Sequence, residues 1–260
     1  APRARVAGAA RPLLGQGRVM RALDGRFIAP GPAGAPSRGR ADVLPTGRNL
    51  YAVDPRTVPT RTAFTNGTLA ANALLQRYVE DHGEWPRSLV IDLWGSATLR
   101  TGGEELALAL SLIGVKPVWD HGSSRVSGFE IVPLALLDRP RVDVTLRISG
   151  LFRDMFPDQI ALFDHAVQMV AGLGEDASFN PLRVHAGHNA RHDRIFGAPQ
   201  GSFGTGIMGR IDASDWNTTA ELGQTYFDMS DTAYRADGTA QSRTQDFRKR
   251  VAEADGFVHV

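Results

Sequence analysis

The stretch SLVIDLWGSATLRTGGEELALALSLIGVKPVW (88–119) decides the fold. SLVIDLW (88–94) is a short apolar run closed by a turn signal, which predicts a buried strand. ELALALSLIG follows with an apolar residue on nearly every side, the pattern of a helix buried all round. Thr101 with Glu104 three residues later is a capping-box signature, and Gly114 stands where a helix end favours a left-handed residue. VKPVW (115–119) reads as the next strand. Strand, loop, helix and strand in about thirty residues predict a right-handed βαβ unit with parallel strands.

The same grammar extends outward. TLAANALLQRYVEDH (68–82) places Leu69, Ala73, Leu74 and Val79 near one face and predicts an amphipathic helix. FEIVP (129–133) and VDVTLRI (142–148) read as strands, SGLFRDMFP (149–157) as a loop with Pro157 at a favoured first helical position, and QIALFDHAVQMVAGLG (159–174) as a helix. From about residue 180 the chain is polar and helical in pattern, with Thr218 and Glu221 a second capping box. Residues 1–61 hold eight of the fifteen prolines, which predicts an extended connection with a short helix near 17–24. The expected fold class is α/β: a parallel-sheet core of βαβ units (62–180) between an extended Pro/Arg-rich segment (1–61) and a helical C-terminal portion (181–260), truncated at its end.

Composition bounds the function. The 260 residues are 42% hydrophobic and 22% charged, as in an ordinary globular protein. The absence of cysteine excludes disulfides, thiolate catalysis, Fe–S clusters and Cys-bearing zinc sites. The longest apolar run is too short to cross a bilayer and the N-terminus lacks a signal-peptide core, so a cytoplasmic protein is expected. A net charge of +1 argues against a nucleic-acid scaffold. It conceals an asymmetry: residues 1–61 carry eleven Arg against three Asp, and the remainder has an acidic excess. Guanidinium forks suit carboxylates bidentately.

In open parallel sheets ligands bind beyond the carboxyl ends of the strands. Two loops occupy that position. WGSATLRTGG (94–103) offers Trp94, Ser96, Arg100 and Thr101; SGLFRDMFP offers Ser149, Arg153 and Asp154. Each joins an Arg and a hydroxyl to a helix start, an arrangement suited to anionic groups, although the same residues serve equally as caps and local ion pairs. His185, His188 and His192 have spacings of three and four and form a metal-site candidate. There is no GxxxxGK[ST] and no GxGxxG between a strand and a helix. If ATP is consumed, another polypeptide hydrolyses it.

Four longer runs carry a resemblance: LPTGRNLYAVDPRTVPT (44–60), WGSATLRTGGEELALALSLIGVKPVWD (94–120), GFEIVPLALLDRPRVDVTLRISGLFRDMFPDQIALFD (128–164) and RIFGAPQGSFGTG (194–206). They resemble the family of aerobic cobaltochelatase large subunits and magnesium chelatase H subunits, from about residue 20 onward. Ser96 stands where that family usually has Thr. The resemblance implies an internal segment of a much longer subunit, inactive alone, that binds the tetrapyrrole while Co(II) is inserted into hydrogenobyrinic acid a,c-diamide. ATP with Mg(II) would be handled by partner subunits, CobS and CobT. Within it, Arg48, Arg100 and Arg153 are candidate carboxylate clamps, Thr101 and Ser149 further substrate contacts, Tyr51 and Trp94 ring-facing surfaces, and Asp54 or Asp154 the base that takes ring N–H protons. The alternatives are a magnesium chelatase acting on protoporphyrin and a non-catalytic segment that docks the ATPase subunits.

Overall fold

The computed structural model describes residues 12–31, 53–183 and 193–259. The chain divides into two compact units, Ala1–Asp54 and Pro55–Val260. In the first unit helix α1 (Pro12–Leu23) corresponds to the short helix expected near 17–24. Most of the expected extended segment lies outside the described residues.

The second unit opens with α2 (Arg61–His82), longer at its start than the apolar periodicity suggested. Thr60 supplies the reason: its side chain accepts from Ala63 N, so the helix is capped a full two turns before the amphipathic stretch begins. Strand β1 (Ser88–Leu93) follows and is buried at every position. The loop after it winds into α3 (Gly95–Thr101), then α4 (Glu104–Ile113), buried from Glu105 to Ile113 as its all-round apolar pattern demands. Gly114 closes α4 at φ 77°, and a Cβ there would collide with the Arg141 guanidinium.

Beyond α4 the structure departs from the expected βαβ unit. Strand β2 (Val115–Trp119) pairs antiparallel with β3 (Val126–Ile131) in a separate two-stranded ribbon. Lys116 is exposed, and Pro117 has no N–H for a ladder bond, so this segment suits a ribbon better than the interior of a sheet. The parallel neighbour of β1 is instead β4 (Asp143–Ile148), also buried at every position, reached after α5 (Leu134–Leu137). Helices α6 (Gly150–Met155) and α7 (Pro157–Ala171) then carry the chain to β5 (Ile195–Gly197), parallel to β4.

The portion from 181 onward contributes α8 (Ile207–Asp212), α9 (Thr219–Asp228) and α10 (Thr244–Ala252), and it also supplies β6 (Thr232–Tyr234), β7 (Ala240–Ser242) and β8 (Gly256–His259) to the same sheet. The strand order is β7-β6-β5-β4-β1-β8, with β5, β4, β1 and β8 parallel and β6 and β7 antiparallel at one edge. The division expected at 180/181 therefore falls within one sheet. Strands of three or four residues are too short for a period of two to stand out, which is why the sequence showed only the helices there. The last strand returns beside the first, so the end of the described chain sits next to Asp92.

Close helix packing on this sheet depends on Gly67. A Cβ at Gly67 in α2 would lie 2.6 Å from both Ala107 Cβ and Glu104 O, and 2.7 Å from Leu108 N, all in α4. Gly67→Ala gains about 1 kcal/mol in helix propensity and meets an overpacking cost of roughly 1–3 kcal/mol. The expected result is a lower urea midpoint with an unchanged slope; a higher midpoint would show that the two helices have room to part. Among the described residues no helix is long and apolar enough to cross a membrane.

Candidate functional site

The two loops singled out in the sequence do meet at the carboxyl ends of β1 and β4. Ser149 joins them: its Oγ accepts from Gly95 N at 3.0 Å and from Phe152 N at 3.2 Å, so one hydroxyl caps the starts of both α3 and α6. The helix starts approach so closely that a Cβ on Gly95 would lie 2.7 Å from Phe152 N. Ser149 is buried in this junction, where its Oγ serves as a double cap. Thr101 is likewise a turn residue. Its Oγ1 accepts from Gly103 N (3.1 Å) and Glu104 N (3.2 Å) and lies 3.1 Å from both Ala97 O and Glu105 Oε2.

Arg153 faces away from an open clamp. Its Nη1 donates to the carbonyls of Ala198, Pro199 and Ser202 at 3.2, 2.7 and 3.2 Å, while Nε and Nη2 grip Asp154 at 2.6 and 2.9 Å. The guanidinium also lies 5.4 Å from the Phe203 ring centroid. A fork spent on three carbonyls and a carboxylate pins the 198–203 loop to α6 and has no pair of donors left for a ligand. The Arg153 hydrogen bond also holds the Asp154 carboxyl below its ordinary range, which makes Asp154 a weak proton acceptor.

Arg48, Tyr51, His185, His188 and His192 lie outside the described residues. Asp54 ends the first unit, half-buried. Among the described residues no group of three or more His, Cys, Asp or Glu could hold a metal ion.

Trp94 and Arg100 do share a cavity. It measures about 380 Å³ and is lined by Trp94, Ser96, Ala97, Arg100 and His259. Beneath it sits a charged cluster that the sequence reading did not select. Asp92 and Arg147 are register partners on β1 and β4, and both are buried. Arg147 donates from Nη1 to Asp92 Oδ1 (3.3 Å), from Nε to Ser230 Oγ (3.2 Å) and from Nη2 to Gly204 O (3.2 Å). Its guanidinium lies 5.5 Å from the Trp94 ring centroid and 5.4 Å from that of Tyr226. Burial, with Asp92 adding to it, pushes the Tyr226 hydroxyl up to about 12. Asp92 Oδ2 accepts from Trp94 Nε1 at 3.2 Å and lies 3.2 Å from His259 Nδ1, while the Trp94 and His259 rings meet edge to face at 6.3 Å between centroids. Asp92 thus fixes the orientation of both an indole and an imidazole at the cavity wall. The available signal was a charge inside each of two largely apolar strands, Asp92 in SLVIDL and Arg147 in DVTLRI, because a charge that cannot reach water must find a partner. His259, 167 residues from Asp92, carried no such local signal.

The profile of the CobN/magnesium chelatase family matches residues 16–260. The chain belongs to this family. Within the CobN/magnesium chelatase family it is 50% identical over 252 residues to the aerobic cobaltochelatase subunit CobN of Sinorhizobium sp., covering 91% of this chain and 20% of that protein. It is 47% identical over 257 residues to CobN of Pseudomonas aeruginosa (93% and 21%), and 35% identical over 252 residues to the chloroplastic magnesium-chelatase subunit ChlH of Oryza sativa (92% and 18%). A solved structure, the catalytic subunit of cobaltochelatase from Mycobacterium tuberculosis, superposes with a TM-score of 0.81 at 42% identity, covering 93% of this chain and 21% of that one. The chain spans about a fifth of the length of these relatives.

Proposed function

We propose that this chain is the segment of a tetrapyrrole-binding large subunit in which a cobaltochelatase inserts Co(II) into hydrogenobyrinic acid a,c-diamide. The carrying observation is the gradient of similarity within the family: 47–50% identity to two cobaltochelatase subunits against 35% to the rice magnesium chelatase subunit. In this reading the reaction belongs to cobalamin synthesis in the cytoplasm, and ATP with Mg(II) is held by partner subunits of the CobS and CobT type. This segment then needs no phosphate-binding loop of its own.

The cavity fits such a role chemically. Trp94 offers an aromatic edge and face against a planar conjugated ring, and Arg100 brings a guanidinium to a substrate rimmed with carboxylates. Among the described residues no cluster of three or more ligands for Co(II), the metal substrate, is brought together.

The test is metal and ring selection by the full-length protein with its partner subunits and ATP. Insertion of Co(II) into hydrogenobyrinic acid a,c-diamide, with no Mg(II) insertion into protoporphyrin, is expected. The opposite selection would make the protein a magnesium chelatase. Binding of the motor subunits without binding of either ring would leave this segment a docking scaffold.

A further inference from the structure

We infer that His259 accepts the proton released from the macrocycle's ring N–H group and that Asp92 positions it for this task, an inference that rests on the proposed chelatase function. Placing Co(II) in a corrin-type ring breaks its ring N–H bond, and the electron pair so freed joins the lone pairs of the three imine-type nitrogens in binding the metal. A base with an available lone pair must therefore stand at the cavity wall.

His259 meets that requirement. It lines the cavity with its side chain 63% exposed, whereas Asp92 beneath it is only 6% exposed. The Asp92 carboxylate can only accept, so His259 Nδ1 at 3.2 Å carries the hydrogen, and the lone pair of the neutral ring resides on Nε2. Asp92 is itself held by Arg147 and Trp94, so the imidazole has a fixed orienting partner, the arrangement by which carboxylates direct histidine bases. Among the residues lining the cavity, Trp94, Ser96, Ala97 and Arg100 offer no basic lone pair. The charged groups nearest the His259 end of the cavity are Asp92 on β1, with its partner Arg147 on β4, and Arg100 on α3.

The step balances without oxidant or reductant. One ring N–H breaks, its proton passes to Nε2, and the electron pair left on nitrogen goes to Co(II). The exposed imidazolium returns its proton to water before the next turnover. Co(II) and one ring N–H bond become a Co(II)–corrin held by four nitrogens, with one proton released.

The experiment uses the full-length subunit with its partner subunits, Co(II), ATP and hydrogenobyrinic acid a,c-diamide. His259→Ala is expected to lower kcat about 100-fold, to leave the Kd for the free macrocycle within about threefold, and to regain activity with added imidazole. The regained rate should rise with the basicity of substituted imidazoles at saturating Co(II), which a merely structural loss would not show. A kcat within threefold of wild type would overturn the inference. So would activity lost in proportion to macrocycle binding, or activity restored by excess Co(II) alone. Failure of the wild-type protein to bind the macrocycle at all would instead remove the chelatase reading and is recognised separately.

Discussion

Asp143→Asn in the full chain is expected to lower Tm by roughly 6–20 °C. The Asp143 side chain is 1% exposed and holds two buried cations: Arg194 through Nε at 2.6 Å and Nη2 at 2.9 Å, and Arg250 through Nη1 at 2.8 Å. Arg250 also donates from Nε to Thr145 Oγ1 at 2.8 Å. Burial already pulls the Arg250 guanidinium below its ordinary range, and the Asp143 charge opposes that pull. Neutralising the carboxylate leaves two guanidiniums facing each other in a space with little water. Breaking a buried pair by removing one partner costs about 3–5 kcal/mol. For a chain of this size each kcal/mol lowers Tm by roughly 2–4 °C. The network ties the start of β4 to the approach to β5 and to α10, so its loss acts on the whole sheet. Thermal unfolding followed by circular dichroism checks this; a shift under 2 °C would mean that the site repacks or admits water.

Arg153→Lys should be nearly as damaging as Arg153→Ala, because what matters is the fork and not the charge. An ammonium cannot hold the carbonyls of Ala198, Pro199 and Ser202 while also pairing bidentately with Asp154. Leaving these groups without partners costs roughly 3 kcal/mol. The consequence is local, so limited proteolysis should cut between 198 and 206 many times faster in either variant while the sheet persists. Equal protection of the loop in Arg153→Lys and the native protein would contradict the pinning role. The pair also sets a pH dependence. Because the Asp154 carboxyl is held below its ordinary value of 3.8, its contribution is complete above that pH and is lost as pH falls through the depressed value. Asp154 is nearly half exposed, so solvent screening keeps that contribution small.

What could be read from the sequence was whatever local chemistry determines. The buried strand at 88–93, the all-apolar helix after it, the left-handed stop at Gly114 and the proline start of α7 each follow from a few adjacent residues. So did the meeting of two strand-to-helix loops at one edge of the sheet. Partnership could not be read in this way. VKPVW looked like any other strand, and only Pro117 and exposed Lys116 hinted that it would leave the main sheet. Arg153, Ser149 and Thr101 stand in or beside the two strand-to-helix loops, yet they bond chiefly to backbone groups up to 54 residues away, a demand invisible in the local sequence. The Asp92–Arg147–His259 cluster depends on β8 returning beside β1 from the far end of the chain, a long-range pairing with no local code.

Equilibrium binding of hydrogenobyrinic acid a,c-diamide to the full-length protein tests most directly whether the cavity beside β1 and β8 receives the ring. Trp94→Ala and Arg100→Ala are each expected to weaken binding by about tenfold or more, the effect of removing a contact worth roughly 1.4 kcal/mol, while Tm stays near the native value. Affinities within twofold of wild type for both variants, in proteins that melt normally, would place the macrocycle elsewhere.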